Sequence, residues 1–306
     1  MTSSEPIREV PATDWDHYKL FKRVKEAIYS LPLYFRTETN IEGISATDIF
    51  TLNSALGATI ESQVVQTLNN MRALWDPDEE YVMYSFVRQS QTFPDVLLKK
   101  IGDSSDVAEI ILGIELKGWY LLAKEAEPSF RFQVTPSACA VHDLIVVVPW
   151  ALNNVISGSP KVFVPYVEFS RYAAAYRNYH WQYLRQAKSN TNINIPTDIT
   201  PYPKKSDPIS DKPVSDGGGN FGRFARTGLM DSYLHKAKEE HICGISAEHW
   251  LTFFKVFQDQ KSITEVRDQI KKIKAKVLAK VEGDENTTLI NIQEILLYID
   301  KIVDEL

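Results

Sequence analysis

At 306 residues, 44% hydrophobic and 24% charged, the chain has the size and composition of a folded soluble protein with one large domain or two modest ones. Its net charge of −6, from 34 basic and 40 acidic residues, argues against indiscriminate nucleic-acid binding but leaves room for a local basic cleft. Two cysteines are too few for a disulfide framework, the N-terminus lacks a signal-peptide pattern and no apolar run approaches a membrane span, so a cytoplasmic protein is expected.

In chain order, residues 1–47 read as an N-terminal helical arm. Positions 1–14 look frayed, and Asp14 to Leu31 carries Tyr18, Phe21, Val24 and Ile28 at helical spacing. Ser45 to Asp48 is a plausible helix start. From there Leu52, Leu56, Ile60, Val64 and Leu68 predict a long helix reaching about Leu74, with Glu61 and Gln63 in its middle. Tyr81 to Val87 is aromatic and β-branched, as a strand would be. Val96–Ile101 and Val107–Lys117 are predicted as the next two strands, joined through the polar turn Gly102 to Asp106.

Thr135-Pro136 opens a predicted short helix whose small residues Ser137, Ala138, Cys139 and Ala140 suit close approach to a sheet. Leu144 to Val148 is a continuous apolar run typical of a buried central strand, and Lys161 to Phe169 supplies another strand. Ser170 to Lys188 then reads as a long helix with Tyr172, Tyr176, Tyr179 and Trp181. Residues 48–188 are taken together as the core domain.

The hairpin carries the chemistry. Partner residues in an antiparallel hairpin have a constant sum of positions, so a turn centred near Ser105 sets Asp95 opposite Glu115. Directly opposed residues hold their Cβ atoms roughly 4.5–5.5 Å apart. Lys117 falls on the same face, two residues on, while Leu112, Ile114 and Leu116 turn to the core. Facing carboxylates repel unless a cation neutralises them, and oxygen ligands of this kind suit Mg²⁺.

Pro94-Asp95 and, after nineteen intervening residues, Glu115-Leu116-Lys117 resemble the motif of the PD-(D/E)XK nuclease superfamily. The predicted order of helix, three strands, helix and strand over about residues 48–150 is similar to the αβββαβ core of that group. The resemblance implies an α/β fold with a mixed central sheet and helical additions at both ends. It also implies Mg²⁺ held by Asp95 and Glu115, with the Leu116 carbonyl as a further ligand. Lys117 would assist the attacking water, and Glu61, on the preceding helix, would be an additional acid near the metal. Length and character look most like a type II restriction endonuclease: a homodimer that cuts double-stranded DNA at a specific site. A repair or recombination nuclease, or an inactivated nuclease fold that binds DNA, are the alternatives.

Residues 189–226 combine five prolines with Gly217-Gly218-Gly219 and the basic residues Lys204, Lys205, Lys212, Arg223 and Arg226. One reading is a loop that wraps DNA and delivers Lys204, Lys205, Arg223 and Arg226 to phosphates or base edges. The other is a solvated excursion whose charge is offset by Asp207, Asp211 and Asp216. The helix before it has four basic residues and no acid, which suggests a phosphate-facing edge at Arg177 and Arg185. Residues 227–306 are expected to be helical. His235, His241, Cys243 and His249 match no familiar zinc spacing, and Ser246 to Gln258 is a predicted helix. Ser262 to Glu265 is a capping box that opens an expected αα-hairpin, with five lysines between positions 271 and 280.

Overall fold

The computed structural model describes residues 4–45, 48–89, 92–102, 109–185, 191–218 and 220–258, together with the single positions 264, 268 and 271. Those three positions apart, the expected C-terminal hairpin of residues 262–306 lies outside the described residues, as does the tip of the hairpin at 103–108.

The first helix, α1 (Tyr18–Tyr29), buries Leu20, Phe21, Val24, Ala27 and Ile28 on one face, as its three- and four-residue spacing predicts. A single turn, α2 (Leu31–Tyr34), follows it. Next comes α3 (Leu52–Asn70), entered through a 3₁₀ turn at Ile49–Thr51 and followed by α4 (Arg72–Trp75), against which α1 packs. Ile60, Val64, Val65 and Leu68 form the buried stripe of α3, which packs on the sheet.

The sheet is mixed. Strand β1 (Tyr84–Arg88) pairs antiparallel with β2 (Val96–Lys100), and β2 antiparallel with β3 (Ile110–Tyr120). β3 runs parallel to β4 (Leu144–Leu152), in which all nine consecutive residues are buried, as a parallel strand covered on both faces requires. The remaining edge of β4 is shared by β5 (Pro160–Val162) and β6 (Tyr166–Phe169), both antiparallel to it. The single strand expected over 161–169 is therefore two, with Val164 exposed between them.

The connection from β3 to β4 departs further from expectation. In place of a helix it contains one 3₁₀ turn, Pro136–Ala138. Ala138 and Cys139 are buried there, beneath α5 (Ser170–Tyr179). A proline at the first helical position suits one turn as well as many, so the sequence does not distinguish the two. α5 ends in a π-helical turn at His180–Leu184.

Two stretches that the sequence leaves loose are tied down. The N-terminal arm is docked rather than frayed. Arg8 Nη2 donates to Glu168 Oε2 at 2.6 Å and lies over the Tyr172 ring, and Arg171 pairs with Glu9 at 3.2 Å. The 191–226 segment is stitched to residues 131–135 at its middle and near its end. Asp211 N–H donates to Gln133 O and Thr135 N–H to Ile209 O, while Phe132 N–H donates to Gly222 O. Within it β7 (Ile193–Asn194) pairs with β8 (Lys212–Pro213). Beyond it lie α6 (Asp231–Lys238), the short pair β9 (His241–Ile242) and β10 (Ile245–Ser246), and α7 (Ala247–Gln258). No helix among the described residues is long and apolar enough to cross a membrane.

Candidate active site

Register comes first. Val96 faces Ile114, Leu97 faces Gly113 and Leu98 faces Leu112, before a bulge shifts the pairing by one at Lys99. Continuing the regular pairing one step beyond β2 brings Asp95 opposite Glu115. The Leu116 N–H donates to Asp95 Oδ2 at 3.1 Å, which holds that carboxylate against β3.

The Lys117 side chain lies between the two acids. Its Nζ is 3.0 Å from Asp95 Oδ2 and 3.4 Å from Glu115 Oε1. Glu61 approaches from α3: its Oε1 accepts the Gly118 N–H at 3.1 Å, and Arg88 of β1 stands 3.8 Å from its other oxygen. The residue before β2, strand β3 and helix α3 thus bring Asp95, Glu115, Lys117 and Glu61 to one place, as predicted.

Burial sets the electrostatics. It raises the Glu115 carboxyl well above its usual range, and the Lys117 charge opposes that shift while Asp95 adds to it. Burial alone would lower Lys117, but the charges of Glu115 and Asp95 outweigh it and hold the ammonium above its ordinary value. Glu61 is also raised, chiefly by burial, against the Gly118 N–H and the Lys117 charge. The centre is therefore one firmly charged lysine among carboxylates, two of which burial drives toward the neutral form.

Beneath this hairpin lies a residue that the sequence reading passed over. Asp143, fully buried just before β4, accepts Gly113 N–H at 2.7 Å, Ala140 N–H at 2.7 Å and the Tyr202 hydroxyl at 2.9 Å. Burial pushes its carboxyl up to about 7 despite these donors. Tyr202 has one proton and gives it to Asp143, so the 3.0 Å contact with His142 Nε2 makes that nitrogen the donor. An acid flanking an apolar strand was the available signal.

The basic residues divide. Arg177 does not face a phosphate. It is 1% exposed, donates to Phe132 O and Val134 O, and pairs with Asp211 at 2.5 Å, so its charge is consumed in anchoring the 191–226 segment. Arg185 stacks on the Trp181 ring. Lys204 and Lys205 are exposed on a turn where Lys204 N–H donates to Asp207. Arg223 and Arg226 both pair with Glu127. Glu127 lines a cavity of about 230 Å³ that it shares with Glu61, Lys117 and Gly118, so these two arginines stand at the rim of the site.

Nothing among protein-family models, curated proteins or solved structures matches this chain.

Proposed function

We propose that the protein is a Mg²⁺-dependent endonuclease that hydrolyses phosphodiester bonds of double-stranded DNA, in the manner of a type II restriction enzyme. The convergence of Asp95, Glu115 and Lys117 within 3.0–3.4 Å carries this reading. The antiparallel β2–β3 pair, the parallel β3–β4 pair and the preceding α3 support an αβββαβ core; the 3₁₀ turn between β3 and β4 is the departure from it.

The donor set fits magnesium. Asp95 and Glu115 offer hard carboxylate oxygens, with the Leu116 carbonyl as a further candidate, and Glu61 stands near. Among the described residues no three His, Cys, Asp or Glu side chains form a metal cluster. Two carboxylates completed by water and substrate phosphate is the arrangement that Mg²⁺ favours. Bound there, the ion would supply Lewis-acid polarisation of the phosphoryl oxygens and offset the repulsion between the acids.

The chain's own residues do the rest. Lys117, held charged by its neighbours, orients the attacking water and stabilises the charge that grows on the phosphoryl oxygens. Asp95 and Glu115 fix the ammonium in place. Water displaces the leaving oxygen directly, with no covalent bond to the enzyme. A homodimer would set two such sites about a two-fold axis, one for each strand.

Supercoiled plasmid incubated with the protein and Mg²⁺ tests the proposal. Discrete fragments are expected. A smear would indicate a repair or recombination nuclease, and intact plasmid at all divalent-ion concentrations would overturn the assignment.

A further inference from the structure

At the rim of the site two arginines share one oxygen. Arg223 Nη2 lies 3.1 Å from Glu127 Oε1, and Arg226 Nε lies 2.6 Å from the same atom. They come from the end of the 191–226 segment, nearly a hundred residues from Glu127 in sequence. The Arg131–Arg223 bridge and the Phe132–Gly222 hydrogen bond bring them to this place.

The arrangement is unbalanced. Two guanidiniums against one carboxylate leave a positive charge over. Nearby, Arg131 and Asp216, 3.5 Å apart, cancel each other. The buried Nε of Arg223 has no acceptor among the described residues, a state that costs energy unless a ligand relieves it. A carboxylate oxygen shared by two arginines has the geometry and charge of a phosphate oxygen. A phosphodiester offers two such oxygens and can engage both forks. Glu127, the acid they hold, lines the same cavity as Lys117 and Glu61.

We infer that Arg223 and Arg226 form a second phosphate subsite, for a backbone phosphate next to the one cut, which Glu127 fills in the free protein. This rests on the nuclease reading above and goes beyond it by assigning Glu127 as the placeholder. DNA entering the site exchanges the carboxylate for phosphate, and the freed Glu127 swings into solvent. The exchange sets a threshold: a lone anion gains little by replacing Glu127, whereas a strand also held at Lys117 gains both contacts together.

The test is the binding of a short DNA duplex by fluorescence anisotropy, over a range of salt, in an Asp95→Asn background so that no strand is cut. Glu127→Gln removes the competing charge and should tighten binding by about fivefold. Arg226→Ala, at a side chain 47% exposed and so replaceable without disturbing the fold, should weaken it and reduce the salt slope by about one. Binding left unchanged by both variants overturns the subsite, while the nuclease reading stands if the parent cuts plasmid. Weaker binding by Glu127→Gln at an unchanged melting temperature would also overturn it. A parent protein that neither binds duplex nor cuts plasmid removes both proposals together.

Discussion

The Asp143 carboxylate and the Gly113 amide meet at 2.7 Å, and no side chain fits between them: a Cβ at Gly113 would lie 2.5 Å from Pro94 Cγ and 2.8 Å from Asp143 Oδ1. Both neighbours are fixed, Pro94 by burial and Asp143 by its three donors. Gly113→Ala should therefore cost about 1–3 kcal/mol, the usual range for overpacking a closed site. It should also shift Pro94, and Asp95 with it, so cleavage should fall more than stability. Urea unfolding beside a plasmid assay checks this; an unchanged midpoint would mean that the hairpin yields freely.

The Arg177–Asp211 pair gives a second expectation. Asp211→Ala strands a buried guanidinium and should destabilise by about 3–5 kcal/mol. Arg177→Met combined with Asp211→Leu should recover much of that loss, because no buried charge is left alone. Amide exchange at Thr135 and Asp211, read by mass spectrometry, should rise in the single variant. Slow exchange there would show that the segment is held by other contacts.

Lys117 separates catalysis from structure. Lys117→Ala should lower the single-turnover cleavage rate on the order of a hundredfold or more. Lys117→Arg should not restore it, since a planar fork does not reproduce a point charge between two carboxylates. Cleavage by Lys117→Ala at the parental rate would exclude Lys117 from the reaction.

His142 supplies a pH dependence. Burial, with the charges of His17 and Arg171 adding to it, lowers this imidazole from its usual 6.5 to about 4. It stacks on Trp15 with ring centroids 4.5 Å apart. A depressed histidine favours the folded state while neutral, so its contribution is complete above about pH 6.5 and is lost as pH falls toward 4. The loss should reach about 2 kcal/mol once partial exposure is allowed for. His142→Phe should flatten the slope of stability against pH between 6.5 and 4. A slope unchanged in that variant would assign the effect to other groups.

The hairpin and its acids were legible because alternation and a polar turn fix register by arithmetic, and a one-residue slip would have placed Leu116 where Glu115 stands. Glu61 needed more than pattern: its place on α3 is an ordinary helical one, and only the motif downstream marked it. Arg177 misled for the opposite reason. A basic residue on a helix without acids looks solvent-facing, and its partner Asp211 lies 34 residues away across an irregular segment. Glu127 and Asp143 escaped because their meaning lies in what chain returns to meet them, Arg223 and Arg226 in one case and Gly113 and Tyr202 in the other. Periodicity reports on neighbours along an element and says nothing of such returns.

The docked arm has a consequence for the order of events in folding. Arg8 and Glu9 find their partners, Glu168 and Arg171, across 160 and 162 residues of chain. During synthesis the arm emerges well before those partners exist, so it waits until β6 and α5 have been made and packed. Contacts of such long sequence separation carry a loop-closure cost before they are rewarded, so these are expected to be unformed in the folding transition state. Weakening them should leave the refolding rate unchanged and speed unfolding alone. An arm fastened last and released first would set how long the finished molecule lasts rather than how fast it is made.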